Sequence, residues 1–249
     1  MSALPQTTAA EPPPAWLQWG ILIAAIGAIV GASLSEEWSI DGGRWLYWLC
    51  KPLATALIFV LAWRVVEPVS PVYRRWILAG IAFSWVGDVF LMLSPPWFVA
   101  GLLGFLLAHL CFIAAFLSDK PLLARPLPWL LCLGYGVFAA WLLWPGLASV
   151  LRVAVPLYIA VLATMGGQAV GRALWLRSRP DARAPAARLA AIGALVFMLS
   201  DSLLAWNRFM APLPWSAAGV LGTYYVAMWL IGRSVDARTA SPISRWMKR

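Results

Sequence analysis

One histidine, three cysteines and ten acidic residues occur in 249 positions, and charged side chains make up only 12% of the chain. A catalytic zinc usually takes three protein ligands from His, Cys and carboxylate, so a single His without a Cys cluster argues against a metal site, and no cofactor is expected. No Gly-x-Ser-x-Gly elbow is present, and His109 matches no nucleophile by spacing, which disfavours a serine hydrolase. No Lys or Arg precedes Arg44, so the first apolar run lacks the basic start of a signal peptide. Cys50, Cys111 and Cys132 fall within apolar runs, where a thiol behaves as a small apolar residue and reports no redox compartment.

Hydrophobic side chains, by contrast, make up 62% of the sequence, and mean hydropathy is +0.79. That exceeds what a soluble core of this length buries, so the bilayer is the solvent. A span needs about 20 apolar residues, and irregular backbone cannot face lipid, so the long runs must be helices. Eight qualify: Ala15 to Leu34, Trp45 to Trp63, Trp76 to Leu93, Trp97 to Leu117, Pro128 to Trp144, Val150 to Gly171, Leu189 to Trp206 and Trp215 to Arg233. The expected fold is an all-α, polytopic integral membrane protein of eight transmembrane helices (15–233), flanked by a flexible tail (1–14) and a basic tail (234–249). Trp residues recur at the span ends, where their amphipathic rings suit the headgroup boundary.

The net charge of +9 is explained by topology, with no call for a nucleic-acid partner. Fifteen basic residues, from Arg64 in the second connection to Arg249 in the tail, fall on one side of the membrane. Arg44, Arg152 and Arg208 fall on the other, and Lys51 lies inside a span. The excess of positive charge places both termini in the cytoplasm, and the Ala-, Arg- and Trp-rich composition suggests a bacterial inner membrane. The basic tail can touch anionic lipid. The oligomeric state is not legible.

Four ionisable residues stand inside spans: Lys51, Asp88, His109 and Asp201. Each costs about 2.5 to 3.5 kcal/mol on insertion scales, which makes each a candidate functional residue. At about 1.5 Å per residue, Asp88, Asp201 and Lys51 all lie about 8 to 9 Å below the non-cytoplasmic end of their helices, and His109 about 18 Å below. Two carboxylates and an ammonium are thus expected in one layer, lining a polar pocket that opens outward. Gly87-Asp88 after Phe83 and Ser200-Asp201 after Phe197 are spaced alike and four spans apart, as in a parallel four-plus-four pseudo-repeat. Two carboxyls in a low-dielectric site supply a general acid and a general base together, because one tends to keep its proton while the other ionises. The competing structural reading is that Lys51 snorkels and His109 is a satisfied hydrogen-bond donor, with Ser84, Ser200, Ser202, Tyr224 and Tyr225 as polar glue between helices.

The stretch FSWVGDVFLMLSPPWFVAGLLGFLLAHLCFIAAF (Phe83 to Phe116) resembles the YhhN-like family of membrane proteins, whose characterised members are lysoplasmalogenases. ALVFMLSDSLLAWNRF (Ala194 to Phe209) and TYYVAMWLI (Thr223 to Ile231) resemble the family's C-terminal half, and Lys51-Pro52 is similar to its early Lys-Pro. The resemblance implies eight spans, a catalytic pair Asp88 and Asp201, and a site lined by Lys51, His109, Asn207 and Tyr224. Phe112 and Met228 depart from the Tyr and Gln that the family often has there. The implied activity is hydrolysis of the vinyl ether bond of a lysophospholipid substrate, which needs a strong acid and a base that orients water. Arg208 or Lys51 would meet the lipid phosphate, and Ser84 is a further candidate lining residue. Two other classes compete. A proton-coupled lipid or small-molecule transporter would use the same buried carboxylates. An intramembrane aspartyl protease also uses two Asp, but Val86 between Trp85 and Gly87 breaks the Gly-x-Gly-Asp pattern and no Pro-Ala-Leu segment follows.

Overall fold

The computed structural model describes residues 14–240 apart from 37–40, 94, 120–121, 124, 149 and 179–180. Eight α-helices occupy almost all of it: α1 (Ala15–Glu36), α2 (Asp41–Trp63), α3 (Pro71–Met92), α4 (Phe98–Leu117), α5 (Pro126–Leu143), α6 (Leu151–Arg177), α7 (Ala184–Phe209) and α8 (Ser216–Arg233). Each coincides with one of the expected spans. The largest extensions are six residues past Gly171 in α6, five before Leu189 in α7 and five before Trp76 in α3.

Seven of the eight, α1 to α7, are long and apolar enough to cross a membrane by length and composition. The eighth, α8, is only 18 residues long and mixes Ser216, Thr223, Tyr224, Tyr225 and Arg233 with its apolar positions, which lowers its mean hydropathy. It is nonetheless an interior element, packed against α7, α1, α2 and α3. Its buried residues Leu221, Tyr224, Tyr225 and Met228 recur at helical spacing.

Consecutive helices pair as hairpins, α1 with α2, α3 with α4, α5 with α6 and α7 with α8, and the hairpins join through α2 with α3, α6 with α7, α4 with α6, and α1 and α2 with α8. In lipid there is little hydrophobic drive for helices to associate, so close approach through small residues matters. The α3–α4 seam shows this: a Cβ on Gly104 would stand 2.9 Å from Cα of Gly87, and one on Gly87 would stand 2.7 Å from the Phe105 ring. The buried face of α3 runs Tyr73, Ile77, Gly80, Ile81, Ser84, Gly87, Asp88, so Asp88 continues an inward-facing stripe. Large apolar side chains such as Trp45, Leu130, Trp141 and Val153 are exposed on the outside of the bundle, as a lipid-facing surface requires.

The segment after α8 differs from the expected solvated tail starting at residue 234. Ser234 and Val235 are fully buried, the Val69 N–H donates to the Val235 carbonyl at 2.8 Å, and the Ala237 N–H donates to the Glu67 carbonyl at 3.1 Å. Arg238 Nε lies 2.7 Å from Glu67 Oε2. These backbone groups find partners in the α2–α3 connection, which pins the chain there through residue 238. The rest of the basic segment, from 241, and the N-terminal residues 1–13 lie outside the described residues.

Arg172, the first residue past the expected sixth span, lies inside the bundle. It sits on α6, only 1% exposed, and its guanidinium forms a two-pronged pair with Asp119, Nε to Oδ1 and Nη2 to Oδ2, both at 2.8 Å. The same guanidinium lies 4.7 Å from the centroid of Tyr73, whose hydroxyl is 2.8 Å from Ser234 Oγ. This network ties α3, α6, the connection after α4 and the segment after α8 together at one end of the bundle.

Candidate functional site

At the other end, where α3 and α7 finish and α4 and α8 begin, the helices enclose a cavity of about 360 Å³. Its wall carries Tyr47 and Lys51 from α2, Asp88 from α3, Ser200, Asp201, Asn207 and Arg208 from α7, and Ser216 and Tyr224 from α8. Six of the eight residues singled out in the sequence therefore meet at one cavity: Lys51, Asp88, Asp201, Asn207, Arg208 and Tyr224. The other two, His109 and Ser84, are fully buried and sit behind that wall.

The two carboxylates have separate partners. Asp88 is 1% exposed, and its Oδ2 accepts hydrogen bonds from Thr55 Oγ1 and from the Tyr224 hydroxyl, both at 2.7 Å. Lys51 Nζ lies 3.6 Å from the other oxygen, Oδ1, and donates to the Tyr47 hydroxyl at 3.0 Å. An ammonium and two hydroxyl donors thus converge on one carboxyl group from α2 and α8.

Lys51 does not reach out to the interface, because only 4% of it is exposed. Pro52 lies inside α2 and lacks the N–H that would donate to the Trp48 carbonyl one turn earlier. Its own carbonyl accepts from Trp85 Nε1 of α3 at 3.0 Å, and the Lys51 carbonyl is approached by the Tyr225 hydroxyl of α8. The Lys-Pro step is therefore held by both neighbouring helices.

Asp201 accepts one hydrogen bond, from the Tyr158 hydroxyl of α6 to Oδ2 at 2.5 Å. The Tyr158 ring packs edge-on against His109, centroids 5.2 Å apart, and His109 packs against Phe197 at 4.8 Å. Neither His109 nitrogen has a hydrogen-bond partner among the described residues. No hydrogen bond joins Asp88 to Asp201 among the described residues; they are two groups on one cavity wall.

At the mouth, Asn207 Oδ1 accepts from the Leu213 N–H at 2.8 Å, which fixes the turn between α7 and α8. The Arg208 guanidinium lies 5.1 Å from the centroid of Phe98 and reaches the cavity without an acidic partner among the described residues.

Three members of the site went unnoticed in the sequence: Thr55, Tyr158 and Tyr47. Each carries a hydroxyl on an apolar span, a weak signal shared with many residues that only pack. Which carboxylate Thr55 and Tyr158 serve depends on how helices far apart in the chain are rotated against each other, and Tyr47 holds Lys51 within α2.

An all-α, multi-pass membrane protein with one buried and one half-buried carboxylate, Asp88 and Asp201, on the wall of one polar cavity is the class that fold and site define. The model of the YhhN family matches residues 46–235, and the chain belongs to that family. It is 33% identical over 191 residues to a human protein named lysoplasmalogenase TMEM86A, covering 76% of this chain and 77% of the relative. It is 33% identical over 211 residues to a lysoplasmalogenase of Mycobacterium tuberculosis, covering 76% and 73%. It is 27% identical over 219 residues to a membrane protein YhhN of Escherichia coli O157:H7, covering 86% and 99%. No solved structure matches.

Proposed function

We propose that this protein is a lysoplasmalogenase-like hydrolase, which cleaves the vinyl ether bond of a lysoplasmalogen to a fatty aldehyde and a glycerophospho-base by acid and base catalysis from Asp201 and Asp88. The observation that carries this reading is the pair of carboxylates on one cavity wall, in a chain whose relatives of 33% identity are named for that activity.

The unequal surroundings of the two groups support a division of labour. Asp88 faces an ammonium and two hydroxyl donors, the partners an anionic carboxylate takes. Asp201 has a single hydroxyl partner and borders apolar side chains on its other side, which suits a group that holds and delivers a proton. The Asp201 carboxyl protonates the vinyl carbon remote from the ether oxygen and leaves an oxocarbenium ion at the carbon bearing that oxygen. Water attacks this carbon and gives up a proton to Asp88, so a neutral hemiacetal forms. The hemiacetal then collapses: its hydroxyl proton returns to Asp201, the carbon–oxygen bond breaks, and the proton on Asp88 passes to the departing glycerol oxygen. Both groups end as they began. Arg208, at the mouth, is the partner for the lipid phosphate. The charge distribution supports an orientation with both termini in the cytoplasm of a bacterial inner membrane and the cavity facing outward.

The experiment is aldehyde release by purified wild type, Asp88→Asn and Asp201→Asn, from a lysoplasmalogen and from the matching ester-linked lysolipid. Each variant is expected to lose about 10² to 10⁴-fold in rate. Full activity in either removes that carboxylate from the mechanism. Cleavage of the ester lysolipid alone changes the substrate class.

A further inference from the structure

A second cavity adjoins the first and differs from it in chemistry. It is narrower, about 70 Å³, and lies between α4, α5, α6 and α7. Leu91, Phe98, Phe105, Leu204 and Asp201 line both, so Asp201 stands on the wall that the two share. The rest of the second lining is apolar apart from the hydroxyls of Tyr135, Tyr158 and Ser202, which are already engaged. Tyr158 is bonded to Asp201 at 2.5 Å. Ser202 Oγ donates to the Met198 carbonyl at 2.7 Å and lies 2.7 Å from the Tyr135 hydroxyl. A ligand in this space therefore meets apolar surface and one carboxyl group. Tyr135 is 46% exposed on the outside of the bundle, so the cavity reaches the lipid face where α5 and α7 are joined by the Tyr135–Ser202 contact.

We propose that this pocket is the chain subsite: the single hydrocarbon chain of a lysolipid runs from Asp201 between α5, α6 and α7 and leaves past Tyr135 into the bilayer, while the phosphate-bearing end occupies the polar cavity. The inference rests on the lipid-hydrolase reading for its choice of ligand and adds where each end of that ligand goes. A lysolipid has one polar end and one chain, and the two adjoining cavities match those halves. The reacting bond sits at the boundary between the halves, and Asp201 is the ionisable side chain common to both cavity walls. Gly136, Ala139 and Ala163 give the pocket its width, because larger side chains there would fill it. Only the first several carbons are enclosed, so discrimination falls on the chain near the ether and not on total length.

The test uses a 1-O-alkyl lysophosphocholine, a saturated ether that resists cleavage, with a diazirine on the sixth chain carbon, photolysed with the full-length protein in nanodiscs. The expected result is insertion into peptides of α5, α6 or α7, including Leu143, Val155 or Ile159, reduced at least fivefold by excess unlabelled lysolipid. Insertion confined to α1, α2 or α8, or insertion that competitor leaves unchanged, overturns the subsite. Ala139→Phe supplies a second readout: the ratio of kcat/KM for a sixteen-carbon alkenyl substrate to that for a four-carbon one is expected to fall at least tenfold, and an unchanged ratio overturns the assignment. Should that variant fail to fold, labelling of wild type decides. Aldehyde release from wild type is scored separately. Competed pocket labelling without release keeps the subsite and rejects the hydrolase reading, and release with labelling elsewhere does the reverse.

Discussion

Tyr158 of α6 donates a 2.5 Å hydrogen bond to Asp201 of α7, 43 residues along the chain, and the ring that carries this hydroxyl is wedged against His109 of α4. Asp88 has a counterpart tyrosine, Tyr224 of α8, at 2.7 Å. Each carboxylate is thus aimed by a phenol from a different helix. Hydrogen bonds to a charged or reacting carboxyl are worth about 1.5 to 3 kcal/mol. Tyr158→Phe keeps the ring and deletes the donor, so kcat for aldehyde release is expected to fall about 10- to 100-fold with little change in KM. Tyr224→Phe should cost less, because Thr55 and Lys51 still hold Asp88. Equal losses from the two variants would contradict the distinct surroundings described for the two groups.

Lys51 and Asp88 form a buried pair with a separation of 3.6 Å. Removing one partner from such a pair typically costs about 3 to 5 kcal/mol, because the other charge is left buried alone. Lys51→Met is expected to lower the thermal unfolding temperature in detergent, and Lys51→Met with Asp88→Asn should recover much of that loss. A double variant no more stable than Lys51→Met would show that the ammonium contributes nothing through the carboxylate.

His109 is fully buried, with both nitrogens unpartnered among the described residues and aromatic rings on two sides. Phe offers a similar shape without the polar atoms, and swaps of similar volume in a core usually cost less than about 1.5 kcal/mol. His109→Phe should fold and retain activity within about tenfold of wild type. A loss as large as that of Asp201→Asn would place the imidazole in the proton-transfer steps.

Arg172, itself buried, makes a two-pronged pair with the half-buried Asp119 far from the cavity. Arg172→Met is expected to destabilise the fold by about 1.5 to 3 kcal/mol, since Arg183 Nη1, 3.4 Å from Asp119 Oδ2, still faces that carboxylate. Activity per folded molecule should stay near that of wild type. The check is unfolding temperature and aldehyde release measured on the same monodisperse sample.

Orientation is testable by thiol labelling in intact cells. Ala211 lies in the connection between α7 and α8, and Val66, 80% exposed, in that between α2 and α3. A membrane-impermeant maleimide is expected to modify Ala211→Cys and to spare Val66→Cys until the cells are opened. The reverse pattern would turn the cavity toward the cytoplasm.

Hydropathy and helix geometry by themselves located all eight helices, since a hydrocarbon solvent permits little other than helices for runs of this length. The same reasoning found Lys51, Asp88 and Asp201: a charge inside an apolar span has no structural excuse, and the rise per residue puts the three at one depth. Depth is a property of one helix at a time. Rotation is not, and it decided what the sequence left open. It turned Thr55 and Tyr224 onto Asp88 and Tyr158 onto Asp201, sealed His109 behind the wall, and set the buried Arg172 against Asp119. In lipid every face of these helices is apolar enough to face outward, so the inward face is chosen by close fits such as Gly87 on Gly104 and by polar side chains that need partners. Those choices depend on residues separated by 17 to 136 positions, and only the packed bundle brings them together.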